Sequence, residues 1–258
     1  MGAMMLENHF NRALSGDGTS AAEWQNSGLF RDMPLIEVSQ LAGPSQRVII
    51  VAPHPDDEIL GCGGLIQMLI AQGSIVVLVA VTDGDASHPG SIEWRPQRLA
   101  RERPRETALA LQQLGLSNIR VDRLSIPDGK VFAKSSHLRE KLNFLVSSKD
   151  VIITTWRWDG HPDHEATGHA CAEVAASCGA TLIETPIWGW HWADPEADHF
   201  PKKRAHRLAL SAQILDRKRL AVHSFTSQLK PDRSNQSQAI LPSHVLERLL
   251  HPYEVYFI

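Results

Sequence analysis

Two short segments of this chain concentrate groups that bind cations or move protons. The first is Pro53-His54-Pro55-Asp56-Asp57-Glu58 and the second is Asp159-Gly160-His161-Pro162-Asp163-His164. Adjacent carboxylates are costly to bury, so a cation is the simplest reason to gather them beside imidazoles. Two histidines and one aspartate make a three-ligand site with one position left for water, which is the arrangement that serves catalytic zinc. Zinc lowers the pKa of bound water from 15.7 to about 7 and so supplies hydroxide at neutral pH. The same donor types also suit the iron of a facial triad. Taken alone, each segment also fits a plain turn followed by a capped helix.

Buried strands must deliver these segments to a common place. Residues 47–52 are too apolar to have a solvent face and read as a first strand. Residues 63–71 read as a helix stopped by Gly73, and 75–81 as a second strand ending at Thr82-Asp83-Gly84. Helix 98–114 follows, with Pro104 at a kink or a first turn. Strand 119–124, helix 136–146, strand 150–155, helix 163–177 and strand 181–183 come next. A helix is expected from about 203 to 222, and 253–257 reads as a closing strand. This alternation predicts an α/β fold, Rossmann-like and doubly wound, with a mostly parallel sheet and helices on both faces. Right-handed crossovers then bring both segments to the carboxyl edge of the sheet, where ligands bind in such folds. Residues 1–45 lack sustained periodicity and are expected to be an extension that either packs on the main domain, 46–258, or wanders from it.

Composition narrows the function classes. A formal charge of −3 gives no field for polyanions, so a nucleic-acid partner is not expected. The apolar run at 75–81 is far short of the roughly 18 residues that suggest a membrane span. No leader pattern opens the chain, and the three cysteines, Cys62, Cys171 and Cys178, are not spaced as a paired framework. Together these predict a cytoplasmic protein. Self-association is left open.

The two motifs resemble those of the LmbE-like, or PIG-L, family of zinc-dependent N-deacetylases, and the likeness runs over roughly residues 47 to 228. The resemblance implies a hydrolase that removes an N-acetyl group from an amino-sugar substrate such as an N-acetylglucosaminyl conjugate. It implies that His54, Asp57 and His164 bind Zn2+ and that Asp56 is the general base. His161 would steady the tetrahedral oxyanion, and Asp163 would orient and charge that imidazole. Arg103, in Arg103-Pro104-Arg105-Glu106, would reach the substrate. Ser227-Gln228 matches the end of a further family segment, with Phe225 where relatives often have histidine. Asp159 stands where some relatives have a tyrosine that polarises the carbonyl. The alternatives are a zinc amidase or esterase for another small conjugate, an iron oxygenase, and a non-catalytic sugar binder.

Further substrate contacts are expected near the same edge. Trp188, Trp190 and Trp192 alternate, so an extended segment would place all three indoles on one face for stacking on a sugar; core packing is the commoner fate of such residues. Asp83 and Asp128 each close a strand and are candidate contacts, although turn chemistry alone explains them. Gly61, Gly63 and Gly64 lack the Gly-x-Gly-x-x-Gly spacing of a dinucleotide site and suggest close packing of a helix on a strand. Lys202, Lys203, Arg204 and Arg207 read as a solvated face.

Overall fold

The computed structural model describes residues 12–258. Three short helices, α1 (Ala21–Asn26), α2 (Gly28–Asp32) and α3 (Val38–Leu41), precede β1 (Arg47–Ala52), α4 (Asp57–Ala71) and β2 (Ile75–Thr82). Next come α5 (Pro96–Gln113), β3 (Arg120–Ile126), α6 (Ser135–Leu145), β4 (Val151–Thr155), α7 (Pro162–Cys178) and β5 (Thr181–Thr185). The chain then forms α8 (Gly189–Trp192), β6 (Ala205–Ala209), α9 (Ala212–Val222), α10 (Thr226–Leu229), α11 (Ser243–Leu246) and β7 (Tyr253–Phe257).

The seven strands form one sheet in the order β3-β2-β1-β4-β5-β7-β6. Strands β1 to β5 are parallel, and β7 runs antiparallel between β5 and β6. Alternate residues of β1 point to opposite faces, and both faces are covered. Val48 and Ile50 pack with Leu65 of α4, Leu111 of α5 and Val222 of α9, whereas Ile49 and Val51 pack with Leu142 of α6 and Val174 of α7. The expected doubly wound α/β architecture is what the chain adopts.

Two expectations need correction. Helix α4 begins at Asp57 rather than near residue 63, because Ile59 and Leu60 donate their N–H groups to the carbonyl of Asp56 and the first turn carries Asp57 and Glu58, which suit a helix N-terminus. The single helix expected from 203 to 222 is split. Residues 205–209 pair with β7, and the Ser211 hydroxyl accepts from the Ile214 N–H to start α9. Non-local pairing here overrides local propensity. Within the expected extension, the indole N–H of Trp24 donates to the Trp190 carbonyl at 2.8 Å, and Trp24, Phe30 and Met33 are buried.

The glycines of α4 are there for close approach. A Cβ on Gly64 would lie 2.4 Å from Leu210, and one on Gly61 would lie 2.8 Å from Thr185 of β5. Between these elements Lys218 donates to the Leu60 carbonyl and to Glu254, both at 2.7 Å, which ties the start of α4 to α9 and β7.

Candidate active site

Strand order reverses between β1 and β4, since β2 lies on one side of the pair and β5 on the other. Crevices at such switch points, beyond the carboxyl ends of strands, are where doubly wound folds bind ligands. The loop after β1 carries His54 and Asp56 and leads into α4 with Asp57; the loop after β4 carries Asp159 and His161 and leads into α7 with Asp163 and His164.

The two loops meet. His54 Nδ1 lies 3.2 Å from His164 Nε2, and Asp57 Oδ2 lies 3.3 Å from the first nitrogen and 3.2 Å from the second. Zinc bonds of about 2.0–2.2 Å in tetrahedral geometry separate the ligand atoms by roughly 3.3–3.6 Å, so this triangle is close to the size of one face of such a site. Two other groupings lie within ligand range, His54 with His161 and His164, and His54 with Asp128 and Asp163. The outward nitrogens favour the triangle with Asp57. His54 Nε2 faces Asp128 at 3.2 Å and Asp163 at 3.4 Å, while His164 Nδ1 faces Asp159 at 2.8 Å. Metal-binding histidines characteristically give their second N–H to a carboxylate, which leaves the inner nitrogens free to bind.

These charges act strongly on one another. Burial works against the charged form of His164, but Asp57 and Asp159 outweigh it and raise its pKa to about 9. Burial likewise opposes ionisation of Asp57, yet the imidazoles of His164 and His54 hold it well below the usual carboxylate range. Asp56 behaves in the opposite way. Burial pushes it up to about 7, against the pull of Arg103 and with the help of Asp57. Its φ of 122° is one that side-chain-bearing residues rarely adopt, and such strain gathers at functional sites. The twist turns Asp56 toward Arg103, whose Nη2 donates to Asp56 Oδ2 at 2.9 Å, while Asp57 turns to the imidazoles.

His161 is the third imidazole of the cluster, its ring centre 4.8 Å from that of His54. Its Nδ1 accepts the Asp163 backbone N–H at 3.2 Å, which places the ring proton of the neutral form on Nε2. Burial, followed by the neighbouring His164 and His54, lowers its pKa to about 3, so it is neutral at ordinary pH. A cleft of about 370 Å³ opens over the cluster, lined by His54, Asp56, Asp57, His161 and His164, with Leu60, Ile187, Trp188 and Leu241 as apolar wall. Roomier grooves of about 860 and 580 Å³ lie elsewhere and contain none of these histidines; chemistry, not size, marks the site.

Several expected roles change. The carboxylate of Asp163 does not orient His161; it faces His54 and accepts the backbone N–H groups of Gly129 and Val131. Arg103 is buried and committed to Asp56, to the Pro55 carbonyl at 2.7 Å and to the Gly84 carbonyl at 2.9 Å, so it holds Asp56 rather than reaching outward. Asp128 lines the cleft but is turned to His54 and to the Ala86 N–H. Asp83 pairs with Arg123 and lines the 860 Å³ groove instead. Trp188 borders the cleft, whereas Trp190 is buried against Trp24, Phe30 and Phe200. The cause is local: α8 is helical, and residues two apart on a helix point to opposite sides, so the alternation has no common face.

Sequence reasoning undervalued two groups. Glu106, one helical turn from Arg103, accepts the Ser227 N–H at 2.7 Å and hydroxyl at 2.6 Å, and so pins the segment that places Gln228 in the cleft. Asp159 was legible only as a departure from relatives.

A family model described as PIG-L, GlcNAc-PI de-N-acetylase, matches residues 49–175, which contain every imidazole and carboxylate of the cluster. Over that segment the chain is similar to the PIG-L family. A deacetylase of 1D-myo-inositol 2-acetamido-2-deoxy-alpha-D-glucopyranoside from Kineococcus radiotolerans is 33% identical over 190 residues, covering 72% of this chain and 50% of that one. Diacetylchitobiose deacetylase from Thermococcus kodakarensis is 28% identical over 138 residues, covering 52% and 51%. The chain therefore spans about half the length of these curated relatives. Among solved structures, the zinc inhibited form of teicoplanin deacetylase Orf2 shares the fold, with a TM-score of 0.62 at 16% identity over 82% of this chain and 97% of that one. The matched segment runs from within β1 to most of α7, and the strands that close the sheet lie beyond it.

Proposed function

We propose that this protein is a zinc-dependent N-deacetylase that hydrolyses the acetamide of an amino-sugar conjugate. The observation that carries the proposal is the triangle of His54 Nδ1, Asp57 Oδ2 and His164 Nε2, with a separate carboxylate, Asp56, beside it. The deacetylase names of both curated relatives support the reaction, and their N-acetylated sugar substrates support the substrate class. A pure sugar binder would have no use for a strained, buried carboxylate next to a cation site.

Held by His54, Asp57 and His164, zinc supplies a Lewis acid and lowers the pKa of water. Asp56 accepts the proton of the attacking water; its raised pKa makes it a better base than an ordinary carboxylate. Arg103 fixes the direction of that carboxylate. The Nε2–H of neutral His161 donates to the substrate oxygen as negative charge develops there. Asp56, once protonated, returns the proton to the departing amine, leaving acetate and a free amino sugar. Trp188 and Leu241 give the sugar an apolar wall. The three cysteines are free, which agrees with a reducing, cytoplasmic setting. Among the described residues, no helix is long and apolar enough to cross a membrane.

The test is acetate release from N-acetylglucosamine glycosides by protein of measured zinc content. Turnover that is lost on chelation and restored by zinc supports the proposal. Zinc-loaded protein that binds these glycosides without releasing acetate overturns it.

A further inference from the structure

We infer that Asp159 is a positioning residue that sets the tautomer of His164, so that one carboxylate controls both a metal ligand and the Trp188 wall of the cleft. The inference rests on the zinc site proposed above but concerns a residue outside its ligand set.

Asp159 is fully buried, and donors surround its carboxylate. Oδ1 accepts the backbone N–H groups of Ile187 at 2.9 Å and Gly189 at 2.8 Å. Oδ2 accepts the Trp188 N–H at 2.9 Å and lies 2.8 Å from His164 Nδ1. Its backbone carbonyl accepts the Trp192 indole N–H at 2.9 Å. Three backbone N–H groups and the His164 imidazole surround the carboxylate. An ionised carboxylate only accepts, so the proton of neutral His164 belongs on Nδ1. The lone pair of Nε2 then points at Asp57 and His54, where the triangle needs it.

Asparagine at this position would nearly preserve shape but not donor count. With its oxygen kept on Ile187 and Gly189, its NH2 would meet the Trp188 N–H and His164 Nδ1. His164 could satisfy that NH2 only by accepting at Nδ1, which moves its proton to Nε2, the nitrogen that should bind metal. Outer-shell partners of metal-binding histidines are worth 10–100-fold in metal affinity. A role confined to the 187–189 turn would leave that affinity unchanged.

The experiment has two parts, with zinc alone as probe. In zinc-loaded wild-type protein carrying 15N-labelled histidine, the N–H of His164 is expected at Nδ1; a proton at Nε2 overturns the inference without any variant. Zinc affinity is then measured by chelator competition for wild type, Asp159→Asn and Asp159→Ser, with thermal unfolding followed in parallel. A loss of 10–100-fold in Asp159→Asn or Asp159→Ser protein that remains folded supports the inference, and unchanged affinity overturns it. Wild-type protein that takes up no zinc at His164 contradicts the deacetylase proposal itself, so the two failures are distinguishable.

Discussion

Asp56 and Asp57 are neighbours in the chain with opposed surroundings: Asp56 accepts from the guanidinium of Arg103, while Asp57 lies between the imidazoles of His54 and His164. The backbone φ at Asp56 is 122°. In the proposed deacetylase this gives one carboxylate to proton transfer and the other to holding a cation. Replacing Asp56 with Asn should lower kcat/KM by about 10²–10⁴-fold, the usual worth of general-base catalysis, with zinc content unchanged. Steady-state kinetics beside elemental analysis checks this; full activity in a zinc-replete variant removes Asp56 as the base.

The same pair fixes a pH dependence. Asp56 works only when deprotonated, so activity should rise with pH through its pKa. Burial lifts that value to about 7, and a cation in the neighbouring triangle draws it back, so the acidic limb should fall between the ordinary carboxylate range and 7. Arg103 also lowers the value. In Arg103→Gln the limb should therefore move to higher pH, and a limb that stays or moves to lower pH contradicts the assigned pairing.

Metal uptake should release protons. His164 has its pKa raised to about 9, so in chelator-stripped protein at pH 7 it carries a proton that a cation must displace. Zinc affinity should accordingly fall as pH drops below about 9. Calorimetry of zinc binding at pH 7 in buffers of different ionisation enthalpy should show net proton release. Binding with no proton release contradicts the use of His164 as a ligand.

Much of this was legible in the sequence because it is local. The runs at 48–52 and 151–153 are apolar, and the two His/Asp segments follow closely on these strands, so the sheet and the meeting of the two loops could be read from pattern and crossover handedness. What the sequence hid depends on distant partners. Residues 205–209 become a strand only because 253–257 lies beside them. Arg103 was read as a substrate contact because nothing in the sequence reveals that Pro55 and Gly84 supply carbonyls to it. The alternating tryptophans misled for a different reason. Periodicity carries meaning only once the backbone is known, and a four-residue helix reverses it.

Trp188 and Trp190 should accordingly separate in their effects. Trp190 is buried among Trp24, Phe30 and Phe200, so Trp190→Ala should cost about 3–5 kcal/mol of stability. Trp188 lines the cleft and is only half-buried. Trp188→Ala should raise KM for the glycoside while leaving the denaturation midpoint within a smaller range. Urea unfolding and steady-state kinetics on both variants check the contrast, and the reverse pattern contradicts the placement of the cleft wall.

The most direct test is to locate zinc in crystals of the loaded protein by anomalous scattering at the zinc edge. A single strong peak is predicted about 2.0–2.2 Å from His54 Nδ1, Asp57 Oδ2 and His164 Nε2 together. A peak on the far side of His54, between its Nε2 and the carboxylates of Asp128 and Asp163, or no peak near these residues, would contradict the account.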